Sequence, residues 1–517
     1  MKHITDITHH VKAVVVGIGL SSFAVMATAA DPQSSTVQAD AADSAPVASA
    51  PVAAKSPQDS TKGKRAVKGV FRQTQSDAGD NPPGLASVSP RPPTGAVPPP
   101  RKGPLSGIGD ALDERGINLG LFFTNGYFTN LTTGVKQGKS VDYATLYMSV
   151  NLDLQKLIGI PNTQFHITEA WEPPSHNTGN FSSEVSAGFA PFPATVTTSN
   201  LVKLTLSHDL FNKRLHVEYG RMNLIDDFMV ATMCAGRYAA TPLITVGVPP
   251  LDKSVWGARM AYSLSPHTRL GLGVIEDNYA LFSQSTGWDW STRTRKGWVW
   301  VGNVMHTTDF SSSRYPLNLE AGIYHDTSPY TDDLRNVDGS SQAVNPFGTA
   351  VTHGSGTWGV YGQARKVVWR AADSESPVPR NVALYGGAYI TPGPGHAYPI
   401  EAFGGAEYGG FIKGNPAAVV GTTVRYIRLS DGRAAFEQQL SAASGFSNAP
   451  VQQNTFAFDV HAQYGIAPGV LVNASAQYLL HPNRVGPFAA STGNTRSGWL
   501  LGLFLVVDIG RIVGLSR

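Results

Sequence analysis

Much of the chain alternates apolar and polar residues with a period of two, and this rhythm constrains its fold more than any other feature. Residues 141–154 show the alternation most clearly, and residues 357–369, 455–465 and 498–509 repeat it. Because successive side chains of a β-strand point to opposite faces, each stretch predicts a strand with one apolar and one polar face. We therefore expect an all-β fold.

Sixteen strands can be drawn along the chain, and the connections between them differ in length. Most connections at one end of the predicted sheet are long, with residues 223–254 the longest, whereas those at the other end are short. This division is typical of an outer-membrane barrel, and an even number of strands leaves both chain ends on the short-turn side. The predicted strands are 118–131, 141–154, 163–172, 200–210, 213–222, 255–265, 268–277, 296–307, 316–326, 357–369, 380–391, 401–411, 418–430, 455–465, 469–480 and 498–509.

The apolar faces are expected to point outward into lipid. Each unpaired backbone group is costly in a bilayer, so the sheet has to close without a free edge. We predict a 16-stranded antiparallel transmembrane β-barrel over residues 106–517, with a short N-terminal helix at 106–115 and no helical period after it. Candidates for interfacial aromatic girdles are Tyr143, Tyr147, Trp298, Trp358, Trp369 and Trp499.

The first 105 residues differ in composition from the rest. Residues 1–30 combine two early lysines, an apolar run and a small-x-small sequence at 27–29, which predicts a secretory signal peptide. Residues 31–105 are rich in Ala, Pro and Ser, and their Pro-Pro pairs favour extended chain over a packed core. We expect them to form a disordered periplasmic tail.

Charge and motifs argue against several functional classes. The formal net charge is +3, but the excess of Lys and Arg lies in residues 1–105, so we expect no nucleic-acid partner for the barrel. Cys234 is the only cysteine, which excludes an intramolecular disulfide and argues against a cysteine-rich zinc site. Zinc-protease, phosphate-loop and nucleophile-elbow motifs are missing from the sequence. We expect no catalytic residue, no metal and no cofactor.

If the apolar positions face lipid, the polar positions line the inside of the barrel. Charges of both signs occur among them, which suits a neutral polyhydroxyl solute better than an ion. Guanidinium and carboxylate groups bond pairs of hydroxyls, and these contacts must stay weak because a conducted solute has to leave again. The predicted pore-lining residues are Glu218, Arg259, Arg269, Glu320, Tyr361, Gln363 and Arg365.

Several short motifs, in order along residues 106–517, resemble the carbohydrate-selective porin (OprB) family. Each is weak alone, but their order and spacing are fairly specific. The matching stretches are Ile108–Ile117, Tyr219-Gly220-Arg221 followed by Asp227-Phe228, Gly359–Gln363, Gln477-Tyr478 with His481-Pro482-Asn483, and Gly502-Leu503.

The resemblance implies a 16-stranded barrel in the bacterial outer membrane that takes up small neutral sugars such as glucose by passive diffusion. It also implies a pore lined partly by arginines, with Arg221 as the candidate by position. In general porins the loop at the position of residues 223–254 folds inward, which makes Asp227 a candidate for the constriction. The expected surroundings are outer-membrane lipids and lipopolysaccharide, and the assembly is either a homotrimer or a monomer.

Two other functional classes stay open at the level of sequence. A barrel enzyme, such as a lipase or protease, would use His325 beside Asp326, or Ser355 near His353. A structural or adhesion barrel would use its long loops for surface contacts and have a plugged lumen. Hydrolysis lost on substitution of Ser355 would favour the first, and surface binding without solute flux the second.

Overall fold

The fold was analysed in a computed structural model. The structure describes residues 103–134, 137–172, 199–224, 228, 253–278, 286–354, 356–372, 379–393, 395–413, 415, 417–445, 450–482 and 496–516, and for Tyr143 it describes the backbone alone. The predicted signal peptide and nearly all of the predicted tail lie outside these ranges.

Sixteen strands in the described part of the chain form a closed antiparallel barrel, which confirms the predicted fold class. Each barrel strand begins and ends within two residues of its predicted boundaries. They are β1 (Ile117–Asn130), β2 (Lys139–Asp153), β3 (Thr163–Trp171), β4 (Ser199–Leu210), β5 (Leu215–Met222), β6 (Val255–Ser263), β7 (Thr268–Asp277), β8 (Gly297–Thr307), β9 (Leu317–Asp326), β12 (Thr357–Arg370), β13 (Asn381–Ile390), β14 (Ile400–Gly409), β15 (Val419–Arg428), β16 (Asn454–Ala467), β17 (Val470–Leu480) and β18 (Gly498–Asp508).

The barrel closes where the first and last strands pair. β1 pairs with β18 from Phe122 opposite Asp508 to Asn130 opposite Leu500, and with β2 along its other edge. β9 pairs directly with β12, so the two strands between them in sequence, β10 (Tyr330–Asn336) and β11 (Ala350–His353), form a separate hairpin. Every barrel strand therefore has two hydrogen-bonded neighbours.

Alternation along the strands gives the barrel an apolar outer face and a largely polar inner face. Val424 on β15 and Val460 on β16 are exposed, whereas their neighbours Thr423 and Asp459 are buried. The exposed outer positions also include Trp358, Trp369 and Trp499, as girdle residues require. Tyr147 was expected in a girdle, and this expectation is wrong. Its side chain is buried on the inner face of β2, since it has the same parity as the buried Thr145 and Ser149.

Three short helices lie at the short-turn end of the barrel: α1 (Ser106–Glu114), α2 (Leu154–Ile158) and α4 (Ile509–Val513). The N–H of Leu105, just before α1, donates to Val513 O at 2.8 Å, and the Lys156 amine donates to Asp113 O at 2.7 Å. The carboxylates of Asp153 and Asp508 cap the N-termini of α2 and α4. Among the described residues, no helix is both long and apolar enough to cross a membrane.

Helix α3 (Asp431–Ala443) lies in the connection between β15 and β16, so the expectation of no helix after residue 116 is wrong. The Ser430 hydroxyl accepts a hydrogen bond from the Arg433 N–H and so caps α3. Ala434 of α3 packs in an apolar cluster with Phe128 and Leu500. Because those two residues lie on the inner face of the barrel wall, α3 folds into the long-loop end of the barrel.

The hairpin of β10 and β11 meets α3. The Ser430 hydroxyl donates to the Asp333 carboxylate at 3.4 Å, and burial raises the pKa of Asp333 above its ordinary value. Asp431, exposed at the start of α3, accepts hydrogen bonds from Gln453 and Arg428, which lower its pKa. The two connections therefore pack on each other at the mouth of the barrel.

An arginine on the outer face should be far more costly than the same arginine in a loop. We expect Val460→Arg, at an outer position that is 60% exposed, to reduce the free energy of unfolding by about 2–4 kcal/mol if lipid covers it. Val337→Arg, in the hairpin loop and 70% exposed, is the matched control and should have little effect. Urea unfolding in liposomes measures both, and equal effects would contradict the assignment of the faces.

Candidate functional site

The structure places most predicted pore-lining residues on the inner face of the wall. Arg365 keeps 22% of its side chain exposed, whereas the others are almost completely covered by neighbouring groups. All of them except Arg269 belong to three connected sets of polar side chains. The residues on the inner face are Glu218, Arg259, Arg269, Glu320, Tyr361, Gln363 and Arg365.

The first set is centred on Glu218, on β5. Arg259, directly opposite on β6, forms an ion pair with it in which two guanidinium nitrogens contact Oε2, with Nε at 2.7 Å. Lys203 Nζ lies 3.3 Å from Oε1, and the Thr205 hydroxyl also donates to Oε1. His216 extends the set towards the short-turn end, with Nδ1 at 2.9 Å from the Asp209 carboxylate. The carboxylate of Glu218 is thus surrounded by donors.

The second set is centred on Glu320, on β9. Its carboxylate accepts hydrogen bonds from Asn303 at 2.9 Å, Tyr361 at 2.9 Å and Gln363 at 2.8 Å. The Tyr389 hydroxyl then donates to Gln363 at 3.3 Å, and the rings of Tyr361 and Tyr389 stack with centroids 5.9 Å apart. Four consecutive barrel strands, β8, β9, β12 and β13, each contribute at least one of these groups.

The third set contains Arg365 and residues that the sequence did not identify. Arg365 Nε donates to the Glu407 carboxylate at 3.2 Å. His461 lies between two acids, with Nε2 at 3.8 Å from Glu407 and Nδ1 at 2.6 Å from Asp459. On β15 and β14, Arg425 Nε donates to the Glu401 carboxylate at 2.7 Å, nearer the second set, since Glu401 lies opposite Tyr389. These residues have inner-face parity, but only the register of β14, β15 and β16 brings them together.

Glycines on the inner face let aromatic rings lie flat along the wall. A Cβ on Gly322 would lie 2.5 Å from ring carbons of Tyr361, and one on Gly359 would lie 2.6 Å from Tyr324. The ring of Phe403 lies against Gly387 in the same way, at 2.8 Å. A ring held against the wall does not cross the lumen, so the glycines keep the interior free of these side chains.

Leu224 and Phe228, two of the described residues of the long connection 223–254, lie against the inner face of the barrel wall. Added Cβ atoms on Gly271 and Gly273, on the inner face of β7, would meet the ring of Phe228 at 3.2 and 2.7 Å. A Cβ added on Gly273 would also lie 2.8 Å from a side-chain methyl carbon of Leu224. Asp227 lies outside the described residues.

Arg221 lies on the opposite side of the wall from the position expected for a pore residue. It pairs with Leu204 and Trp256, which face outward, while Glu218 faces inward three positions earlier. Its guanidinium lies 3.5 Å from Glu276 and 5.6 Å from the Trp256 ring centre, and its side chain is completely covered. The expectation that Arg221 lines the pore is therefore wrong, because an odd separation along a strand changes the face.

The two histidines of the hydrolase alternative have structural contacts. His325 Nδ1 is 3.1 Å from the carbonyl oxygen of Thr357, on the outer side of the wall, and Asp326 is buried on the inner side. Consecutive strand residues point to opposite faces, so these two do not form a dyad. His353 stacks on Tyr330 at 4.9 Å and lies 3.5 Å from Asp332. Ser355 lies outside the described residues.

A family model described as "Carbohydrate-selective porin, OprB family" matches residues 140–502, most of the barrel. The chain belongs to this family. Among solved structures, the high-pH structure of Pseudomonas putida OprB superposes with a TM-score of 0.67 at 17% identity, covering 81% of this chain and 99% of that one. A mutant Rh. blastica porin gives a TM-score of 0.40 at 11% identity, covering 76% and 99%. A comparison with curated proteins finds no match.

Membership of the family and the closed barrel make this chain an outer-membrane porin of bacteria, a channel rather than an enzyme in its fold and family. The resemblance deduced from short motifs is thus confirmed.

The Glu218–Arg259 pair of the porin should show strong coupling. We expect Arg259→Met to lower the free energy of unfolding by about 3 kcal/mol, because a buried carboxylate loses its closest partner. Adding Glu218→Gln should restore part of that loss. Urea unfolding of the wild type, both single variants and the double variant measures the coupling, and purely additive effects would be inconsistent with a paired wall.

A histidine in the connection after β13 should make the porin sensitive to acid. His396 is buried against the ring of Tyr324, at 6.5 Å between centroids, and burial lowers its pKa to about 4 from an ordinary 6.5. The neutral form is favoured in the fold, so its contribution to stability is present above pH 6.5 and is lost as the pH falls towards 4.

We expect His396→Gln to reduce the acid dependence of stability in that window. The temperature at which the folded band disappears on a gel, recorded between pH 7.5 and 4, measures it. Equal pH profiles of the variant and the wild type would show that His396 does not contribute.

Proposed function

We propose that the barrel is a passive pore through which small neutral sugars, such as glucose, diffuse across the outer membrane. The observation that carries the proposal is the pairing of acids with bases around the inner wall. Arg259 pairs with Glu218, Arg365 with Glu407, and Arg425 with Glu401. Because these six charges are paired within the described part of the wall, they create no strong field of one sign that would attract ions.

The Arg365–Glu407 pair, which has the most exposed side chain of the three pairs, also supplies donors and acceptors that a sugar needs. A guanidinium has five N–H donors and a carboxylate accepts at two oxygens, so a salt-bridged pair keeps capacity for hydroxyl groups. Water competes for the same groups, so each contact with a sugar is worth only about 0.5–1.5 kcal/mol. Contacts of this strength favour entry of a sugar and allow it to leave.

Arg365 is the predicted residue best placed to touch a solute. Among the predicted residues that the structure describes, its side chain keeps the largest exposed fraction, and Glu407 and His461 lie around it. Glu218, Arg259, Arg269, Glu320 and Gln363 lie deeper, and in this proposal they hold the polar wall in shape. Asp227 is proposed to lie at the constriction, on the strength of the position of Phe228 against the inner face of the wall.

Removal of the Arg365 guanidinium should slow sugar entry. We expect wild-type proteoliposomes to swell faster in a monosaccharide than in a di- or trisaccharide. Arg365→Met should reduce the monosaccharide rate about two- to tenfold, the factor that one lost hydrogen bond produces. Stopped-flow light scattering measures the swelling rates.

Arg370→Met is the matched control, since Arg370 lies over Phe310 at the short-turn end of the same strand, 5.4 Å from the ring centre. It should swell like the wild type. If folded wild-type protein produced no swelling in any sugar, the pore function would be wrong. If the wild type swelled and Arg365→Met swelled at the same rate, the pore function would stand and the proposed role of Arg365 would be wrong.

A further inference from the structure

Part of the connection between β7 and β8 lies against the outside of the barrel. We name residues 286–296 the outer strap. The guanidinium of Arg221, on the outer face of β5, donates to the carbonyl oxygens of Gly287 at 2.9 Å and Asp289 at 3.0 Å. The covered Arg221–Glu276 ion pair therefore fastens the outer strap to the wall.

Two tryptophans fix the outer strap at further points. Trp288 Nε1 donates to the Glu169 carboxylate at 2.9 and 3.1 Å, and Glu169 is on the outer face of β3. Trp256 Nε1 donates to Trp290 O at 3.4 Å, and the two indoles meet edge to face at 5.8 Å. The strap thus reaches across the outer side of β6, β5 and β4 to β3.

Gly287 is needed for this close approach. A Cβ at Gly287 would collide with the carbonyl oxygen of Leu201 on β4. Only a residue without a side chain lets the strap lie directly on the backbone of the wall.

The remainder of the outer strap presents positive charge beside these indoles. Arg293, Arg295 and Lys296 are exposed, and the Arg295 guanidinium lies 4.8 Å from the ring centre of Trp298. Two neighbouring acids are engaged, since Glu276 pairs with Arg221 and the Asp289 carboxylate accepts from the Ser291 N–H at 2.9 Å. The third, Asp277, is buried and interacts electrostatically with Lys296, which remains exposed at the surface. Three exposed cations are therefore available to an anion outside the protein.

The position of the outer strap identifies the kind of anion. The long-loop end of an outer-membrane barrel faces the cell exterior, so the strap lies at the level of the outer-leaflet head groups. Trp288 and Trp290 are 46% and 47% exposed, and indoles favour this interfacial layer. The anions fixed at that depth are the phosphates of membrane lipid.

We propose that the outer strap is a binding site for the phosphorylated head group of an outer-leaflet lipid. Arg293, Arg295 and Lys296 bond the phosphate, and Trp288 and Trp290 contact the adjoining glycolipid surface. Planar guanidinium groups match phosphate oxygens in a two-point geometry, and each cation near a membrane surface adds to the affinity. The site is separate from the lumen, so it does not depend on which solute the pore conducts.

The test uses bis-phosphorylated lipid A and its dephosphorylated form, added to the detergent-solubilised full-length porin and followed by native mass spectrometry. The test variant is Arg293→Gln, Arg295→Gln and Lys296→Gln combined. The matched control combines Arg314→Gln, Lys366→Gln and Arg370→Gln at the short-turn end, where Arg314 and Arg370 also lie over aromatic rings. Both variants lose three positive charges, and a heat-shift gel verifies that both remain folded.

We expect the wild type and the control to bind the bis-phosphorylated lipid alike. The strap variant should bind it at least about tenfold more weakly, and the dephosphorylated lipid should bind weakly to all three. Equal binding by the strap variant, equal loss in the control, or indifference to the phosphates would each overturn the proposal. A change in oligomer mass with unchanged lipid binding would also overturn it, since it would assign the strap to a second copy of the chain.

Discussion

The fold depends on one constraint: in lipid, every backbone N–H and C=O of the wall needs a partner within the protein. Pairing of β1 with β18 meets this need by removing the two edges that an open sheet would expose. Once the wall is closed, alternate side chains have to face lipid or the interior. The apolar outer face, represented by Val424 and Val460, and the polar inner face both follow from that division.

Closure also determines how charge is handled. An arginine or glutamate on the inner face is enclosed by neighbouring strands, so its register decides whether it meets a partner. Antiparallel pairing sets Glu218 directly opposite Arg259. The same principle acts on the outer face, where Arg221 and Glu276 share a covered ion pair and the outer strap supplies carbonyl acceptors. In both places a charge is tolerated because neighbouring polar groups surround it.

The sequence predicts the strands well because lipid and lumen impose a local signal, repeated every two residues. It predicts the face of a residue when parity is followed. Glu218 and Arg221 are three positions apart, so alternation alone already assigns them to opposite faces. The family position of Arg221 therefore does not predict its face, whereas its parity does. Partners such as Glu407 and His461 are recognisable only from register, since they lie on different strands.

The connections are the part of the fold that sequence alone does not supply. Helix α3 is short and is stabilised by packing of Ala434 on the inner wall, a contact that no local period reveals. Ser430, its cap, and the helix-forming run after it were a usable local signal. The hairpin of β10 and β11 consists of two strands of 7 and 4 residues, shorter than any strand of the barrel. The prediction of 316–326 and 357–369 as successive barrel strands is confirmed by the pairing of β9 with β12. Only the pairing of β10 with β11 shows that the connection between them contains a separate hairpin.

Single-channel recording is a decisive experiment, because it reports the pore, its charge balance and its sugar contacts together. In a planar bilayer with a salt gradient, we expect open channels with a reversal potential near zero and a current that a monosaccharide reduces in a saturable way. Strong preference for cations or anions, combined with a current unaffected by any sugar, would contradict a charge-paired wall that passes neutral solutes.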